Sequence, residues 1–372
     1  MAGHGRSLRR FGVEEEYLLL DADSGRPTDQ AADLIRSVPE LGDRAEREFF
    51  SSQMETATPV CTEAAEAEQA LGRFRSVVSR AASARGVVLA GSGLPPVGGE
   101  TEGTVTPRLR YRAIESEMRT AGADQYGTGT HVHVEIPSRD AGVDVLARLS
   151  RWAPALMAIT ANSPHWCGEP TGFASWRYVK SLSWPLAGYP PPFIDGDDYA
   201  AAVERLVGSG VLLDTGVVTW LARLSEHYPT LELRIADAQL ESADAVAFAL
   251  IVRALVESAL EDAREGGERP RMSPGLVNGA VWMAARDGLG AELVDPLTGR
   301  AAPAFELIDA MYGSVERELS RAGDLDRVDD YLSRLRRSGG PAKLQRERFA
   351  RSGVEGLVEL YRSGSEAAPA AA

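Results

Sequence analysis

Apolar residues alternate with polar ones at period two in several short stretches of the first 240 residues. The strongest are 11–20 (FGVEEEYLLL), 47–58 (REFFSSQMETAT), 129–136 (GTHVHVEI) and 230–236 (TLELRIA), and each of these, together with the continuous apolar run 86–91 (GVVLAG), predicts a β-strand. Helical spacing predicts helices over 63–85, 142–161, 197–208, 241–265, 302–320, 325–337 and 341–362, the last broken near Gly353. Beyond about residue 240 the pattern is almost entirely helical. No regular strand–helix alternation appears, so the expected class is α+β, with a mostly antiparallel sheet covered by helices. The termini, 1–9 and 363–372, carry small and polar residues without periodicity and are expected to fray. The stretch 10–362 reads as one catalytic domain. Two long segments at 92–110 and 163–196, rich in Gly, Pro and aromatics, predict functional loops.

The strand patterns also say where the charges point. Side chains two apart share a face of a strand. In 11–20, Glu15 therefore lies with Val13, Tyr17 and Leu19, whereas Glu14 and Glu16 lie with Gly12 on the other face. By the same rule His131, His133 and Glu135 share a face in 129–136, Glu232 and Arg234 share one in 230–236, and Gln53 and Glu55 share one in the second strand. Adjacent carboxylates repel and are costly to bury, and a divalent cation between them removes that cost. Carboxylates with a few imidazoles suit Mg²⁺ or Mn²⁺. A solvated sheet face would also carry charges. The run GVEEEY weighs against that reading, because three successive glutamates interrupt an otherwise apolar strand. Of the remaining histidines, His4 and His165 are expected to be exposed and His227 to sit in a turn.

Composition narrows the class. The 372 residues carry a formal charge of −14, which argues against a nucleic-acid binder. Lys180 and Lys343 are the only lysines among 40 basic residues, so any phosphate site must rely on Arg, backbone N–H groups or metal. No apolar run is long enough to span a membrane and no signal peptide is evident. Cys61 and Cys167 are the only cysteines, which suits a reducing, cytoplasmic setting. A Walker A loop, a complete dinucleotide fingerprint, a G-x-S-x-G elbow and a C-x-x-C pair are all absent.

FGVEEEYLLLD at 11–21, SSQMETATP at 51–59, GTGTHVHVEIP at 127–137, ANSPHWCGEPTGFASWR at 161–177 and LELRIADAQ at 231–239 together resemble the glutamate–cysteine ligase type 2 family of carboxylate–amine ligases. The resemblance runs from about residue 10 to 362. It implies a glutamine-synthetase-like ligase fold whose antiparallel sheet forms an active-site funnel. It implies an ATP-dependent reaction in which a carboxylate, typically the γ-carboxylate of glutamate, becomes an acyl phosphate and is captured by an amine, typically that of cysteine. By resemblance Glu14, Glu16, Glu55, Glu232 and His131 would hold metal, Arg234 would stabilise the transferring phosphoryl group, and Arg112 and Arg177 would grip a substrate carboxylate. The partners implied are small amino acids and amines, with ATP and Mg²⁺ or Mn²⁺, and the resemblance is compatible with a homo-oligomer. Two other readings stay open from the residues alone. One is a metal-dependent amidohydrolase-like enzyme, suggested by His131-Val132-His133. The other is a catalytically inactive binding protein on the same scaffold.

Overall fold

A computed structural model describes residues 8–366. Its centre is a seven-stranded sheet made of β1 (Phe11–Asp21), β2 (Glu46–Arg47), β3 (Gln53–Ala57), β4 (Val87–Ala90), β5 (Gly129–Glu135), β8 (Ala222–Leu224) and β9 (Thr230–Asp237). Two small ribbons complete the strands: β6 (His165–Trp166) with β7 (Glu169–Pro170), and β10 (Glu292–Asp295) with β11 (Arg300–Pro303). The central order is β2-β3-β1-β5-β9-β8, with β4 also paired to β1, and every pairing is antiparallel. The α+β expectation therefore holds, and a barrel of alternating strands and helices, which the amidohydrolase reading needs, is not what the chain forms.

The apolar faces of β1 and β5 rest on the helix Ser242–Arg264, whose residues from Ala245 to Val256 are all buried. That helix is in turn covered by the helices Ala64–Ser83, Arg139–Leu149 and Leu325–Ser338. A second apolar cluster, including Tyr17, Leu19, Leu34, Met54, Phe74 and Leu89, lies where Ala64–Ser83 and Ala31–Ser37 meet β1, β3 and β4. Packing helices on one side of the sheet leaves the charged face of β1, β3, β5 and β9 free to form a site.

Several predicted elements are divided in the structure, each for a local reason. The strand expected over 47–58 is a hairpin of β2 and β3. The Gln53 side chain accepts the Phe50 N–H at 3.0 Å and closes the turn between them. The helix expected over 142–161 is two helices, Arg139–Leu149 and Ala153–Thr160, with Pro154 in the first turn of the second. Residues 302–320 hold the end of β11 and two helices, Ala304–Gly313 and Glu316–Ala322. The last helix, Pro341–Glu366, kinks at Gly353, where φ is 57°, as its sequence predicts. It also continues through 363–366, which were expected to fray. Ser365 Oγ donates to the Leu89 carbonyl at 2.5 Å and ties that end down. At the other end Arg9 is anchored to Glu257 at 2.5 Å. The expectations for residues 1–7 and 367–372 lie outside the described residues. The 92–110 and 163–196 segments are less irregular than expected, since Leu109–Met118 and Trp176–Ser181 are helical.

Candidate active site

Strand register brings the charged residues together. On β1, Glu14 lies opposite His131 and Gly12 opposite His133 of β5. Glu16 lies opposite Glu55 of β3. Across β5, His133 faces Glu232 of β9, and Glu232 faces Arg223 of β8. Directly opposed side chains on antiparallel strands are about 5 Å apart, so five adjacent strands form one continuous polar surface. At His131 the pairing of β5 with β9 shifts register, so that Arg234 and Ile235 both oppose one residue. Such a bulge re-aims a side chain, here Arg234, whose Nη1 lies 3.3 Å from His131 Nδ1.

Glu15, between the two site glutamates, points into the protein as its spacing predicts. It is fully buried and paired with Arg75 at 2.6 Å. Arg75 also donates to Tyr17 Oη at 3.0 Å and to the carbonyls of Leu240 at 2.6 Å and Gln239 at 3.0 Å. The pair ties the helix Ala64–Ser83 to β1 and to the chain leaving β9.

The carboxylates on the face divide into two groups. In the first, Glu14 Oε1 is 3.2 Å from His133 Nε2, and Glu14 Oε2 is 3.4 Å from His131 Nδ1. Burial opposes the charge on Glu14, but the two imidazoles outweigh it and hold this carboxyl well below the usual range. Glu232 is gripped by Arg223 through both guanidinium edges, at 2.6 and 3.1 Å, and also contacts Arg234. Burial raises Glu232, yet Arg234 and Arg223 bring it down to about 2. In the second group burial dominates. It pushes Glu55 well above the usual carboxylate range, reinforced by Glu48, Glu16 and Glu14. It raises Glu16 and Glu48 as well. Burial outweighs the nearby positive groups, His131, Arg177 and Arg234 at Glu16 and Arg234 at Glu48, and neighbouring carboxylates reinforce it at Glu55.

Donor atoms of Glu14, His133 and Glu232 all lie within 4.8 Å of one another, close enough to share one ion. His133 Nε2 is buried with Glu14 Oε1 at 3.2 Å as its neighbour, while its Nδ1 meets Thr230 Oγ1 at 3.0 Å. A buried imidazole nitrogen grouped with two carboxylates held low in pKa is a donor set that fits a divalent cation such as Mg²⁺ or Mn²⁺. Sequence reading assigned His131 to the metal. The structure puts His133 in the cluster and His131 beside it, buried between Glu14, Glu16 and Arg234. Glu16 and Glu55 fall outside this cluster. Glu16 instead accepts the Gly129 N–H at 2.7 Å and, with Glu48, lines a cavity of about 200 Å³.

That cavity opens from the face toward the 177–184 segment and is lined also by Arg110, Arg177, Lys180, Trp184 and Arg234. Arg177 thus lines this cavity. Its Nη2 donates to the Arg234 carbonyl at 3.2 Å. Its Nη1 is 3.5 Å from Asp237. Arg112 is not at the site. It is exposed and paired with Glu115 at 3.0 Å. The segment is a helix, so residues two apart lie about 200° apart around its axis, and it is Arg110, paired with Asp214, that lines the cavity.

Sequence reasoning missed Glu48, Arg223 and Arg110. Glu48 was hidden inside a supposed strand that is a hairpin. Arg223 does show alternation with Ala222 and Leu224, but over only three residues. His165, expected to be exposed, is buried with its ring 4.6 Å from Phe349. Among the described residues no helix is long and apolar enough to cross a membrane, and both cysteines are free.

Comparison with known proteins places this geometry. The family model described as glutamate-cysteine ligase family 2 matches residues 10–363. A Salinispora arenicola protein named "Putative glutamate--cysteine ligase 2" is 39% identical over 361 residues, covering 97% of this chain and 95% of that protein. A protein of Mycobacterium sp. strain KMS with the corresponding name is also 39% identical, over 92% of this chain and 94% of its own. Among solved structures, the glutamate–cysteine ligase of Francisella tularensis in complex with AMP has a TM-score of 0.71 at 12% identity, covering 98% of this chain and 90% of that one. A bifunctional glutathione synthetase from Pasteurella multocida has a TM-score of 0.70 at 14% identity, covering 96% of this chain and 52% of that one. The sheet thus belongs to the glutamine-synthetase-like ligase fold, and the chain belongs to glutamate–cysteine ligase family 2, a family of ATP-dependent carbon–nitrogen ligases.

Proposed function

We propose that this face couples ATP cleavage to amide formation between an amino-acid carboxylate and an amine. The observation that carries the reading is the position of Arg234. It touches the Glu14–His133–Glu232 cluster through Glu232 and also lines the cavity that holds Arg177. A phosphate handled by the cluster and a carboxylate held in the cavity would meet at this guanidinium.

In the first step a carboxylate oxygen of the substrate attacks the γ-phosphorus of ATP, the bond to the β-phosphate oxygen breaks, and ADP leaves. Both reactants are anions, so the barrier is largely electrostatic. Arg234 offers a fixed positive charge at the transferring group, and its fork suits phosphate oxygens. Arg223 keeps Glu232 oriented by gripping both its oxygens. Arg177 binds a carboxylate of the acid. In the second step the amine nitrogen attacks the acyl carbon, phosphate departs, and the nitrogen loses a proton. A Mg²⁺ or Mn²⁺ ion held by Glu14, His133 and Glu232 would supply charge neutralisation for the phosphates of ATP. Lysine scarcity gives the same division of labour, since Lys180 is engaged with Asp124 at 2.6 Å and no other lysine is near.

The names of the relatives make glutamate the first acid to assay and cysteine the first amine. The reading places the reaction in the cytoplasm, where ATP and amino acids are supplied. The test is ADP release by the purified protein. It should require a divalent cation, an acid and an amine together. ADP formed equally well without acid or amine, or amide hydrolysis without ATP, would sink the ligase reading.

A further inference from the structure

The segments 161–177 and 231–239 meet at a side chain that takes no direct part in the reaction steps. Asp237 ends β9, the strand that carries Glu232 and Arg234, and it is fully buried. Its Oδ2 accepts the Asn162 N–H and the Ser163 hydroxyl, both at 2.7 Å. Its Oδ1 accepts the Ser175 hydroxyl at 2.9 Å and lies 3.5 Å from Arg177 Nη1. Both hydroxyls also receive an N–H from the helix Trp176–Ser181. Ser163 Oγ accepts the Arg177 N–H at 3.1 Å, and Ser175 Oγ accepts the Tyr178 N–H at 3.3 Å. A hydroxyl has a single proton, and here the adjacent carboxylate takes it, which leaves the oxygen free to receive the N–H.

Arg177 is therefore held twice from one carboxylate. Its backbone is held by way of Ser163, and its guanidinium is held by charge. At 3.5 Å the ion pair orients the guanidinium without a tight hydrogen bond. Glycines make room for the arrangement on two sides. A Cβ at Gly93 would lie 2.6 Å from Asp237 Cγ. A Cβ at Gly129, which pairs with Asp237 across β5 and β9, would run into Arg177 Nη2. Neutral acceptors would satisfy Asn162, Ser163 and Ser175 at less cost than a buried charge. The charge adds what they lack, an attraction that aims a guanidinium.

We infer that Asp237 is a positioning residue for the acid substrate: through Ser163 and by its own charge it sets where the Arg177 guanidinium stands in the cavity. The inference rests on the ligase reading, in which Arg177 binds the acid, and adds to it the group that acts through Arg177. Asp237→Asn tells this role from a purely structural one. With its amide oxygen turned to Asn162 and Ser163, the new side chain keeps those bonds, and its NH2 then faces Arg177, donor to donor. The anchor of the segment survives, and the aim of the guanidinium is lost.

The experiment measures ADP release with ATP, Mg²⁺ and cysteine saturating and glutamate varied. Asp237→Asn should raise the KM for glutamate about tenfold, with kcat and the KM for ATP changed by less than about threefold. In an Arg177→Gln background the same substitution should change the glutamate KM by less than about twofold, because the residue it acts through is gone. A native glutamate KM in Asp237→Asn, or an equal rise with and without Arg177, overturns the inference and leaves the ligase standing. If Asp237→Asn does not fold, Ser163→Ala decides by the same criterion. It cuts only the backbone hold, and it should raise the glutamate KM several-fold with Arg177 present and leave it unmoved in Arg177→Gln. No ADP release by the native protein with any acid and amine overturns the ligase reading and the inference together.

Discussion

The run Glu14-Glu15-Glu16 assigns different jobs to neighbouring identical residues, and a pair of isosteric substitutions separates them. Glu15→Gln leaves Arg75 buried without its counter-ion. Arginine does not shed its proton in proteins, so the charge cannot be relieved by titration. Breaking a buried pair from one side costs about 3–5 kcal/mol. Arg75 keeps its bonds to the Leu240 and Gln239 carbonyls and to Tyr17, which argues for the lower end. At roughly 2 °C per kcal/mol for a chain of this size, the melting temperature should fall by about 6 °C or more. Glu16→Gln behaves oppositely. Burial raises the pKa of Glu16, so holding it ionised there costs stability and removing the charge relieves that cost. Melting should be unchanged or slightly higher, while ADP release falls at least a hundredfold, on the order of other losses of active-site charge. Differential scanning fluorimetry with a coupled ADP assay reads both quantities. A Glu15→Gln protein that melts normally but has lost turnover, or a Glu16→Gln protein that melts early and turns over normally, would refute the assignment of faces.

Two further outcomes follow from the site and its surroundings. Arg177→Gln should raise KM for the acid by tenfold or more with a smaller effect on kcat, whereas Arg112→Ala should change neither, and equal effects of the two would reverse their placement. Burial, helped by Arg346, brings His165 down to about 4. Its neutral form therefore stabilises the fold fully above the unfolded value of about 6.5, and that contribution is lost as pH falls from about 6.5 toward 4. Urea midpoints should show His165→Leu losing about 2 kcal/mol less than the native protein between pH 7 and pH 4.5, and parallel losses would refute a buried neutral ring.

The faces of the strands were legible because a two-residue period has no ambiguity once a strand is recognised. Glu14 with Glu16, and Glu232 with Arg234, needed nothing more. What the period cannot give is which strand lies beside which. His131 and His133 share a face, but only the register of β5 against β9 sets His133 opposite Glu232. Arg112 failed for a different reason. Its segment, beyond the loop expected over 92–110, was given no element, and a helix there puts Arg110 rather than Arg112 in the lining of the cavity. Glu48 was lost because Gln53 closes a side-chain turn that no alternation announces. Pro274–Asp287, a helix of 14 residues, was missed because its buried positions are small, chiefly alanine and valine, and give a weak apolar stripe.

The scarcity of lysine has a structural counterpart at the site. Glu232 is fixed by two guanidiniums, and Arg223 covers both of its oxygens. A lysine could neutralise Glu232 but could not fix its orientation, because an ammonium is a point charge on a flexible stem. The grip leaves Glu232 ionised and directed at His133 and Glu14, so its charge is both secured and aimed. Glu48 and Glu55 receive no such clamp, and burial raises both. The face is therefore polarised along its length. Ionised carboxylates held by fixed partners lie at the Glu14–Glu232 end, suited to a cation and the phosphates it accompanies. Carboxylates that resist ionisation lie at the Glu48–Glu55 end, where they can accept an ammonium without presenting the full charge of free carboxylates. Arg234, on the bulge between them, contacts Glu232 at one end and lines the cavity with Glu48 at the other, so one guanidinium adjoins both parts of a single sheet surface.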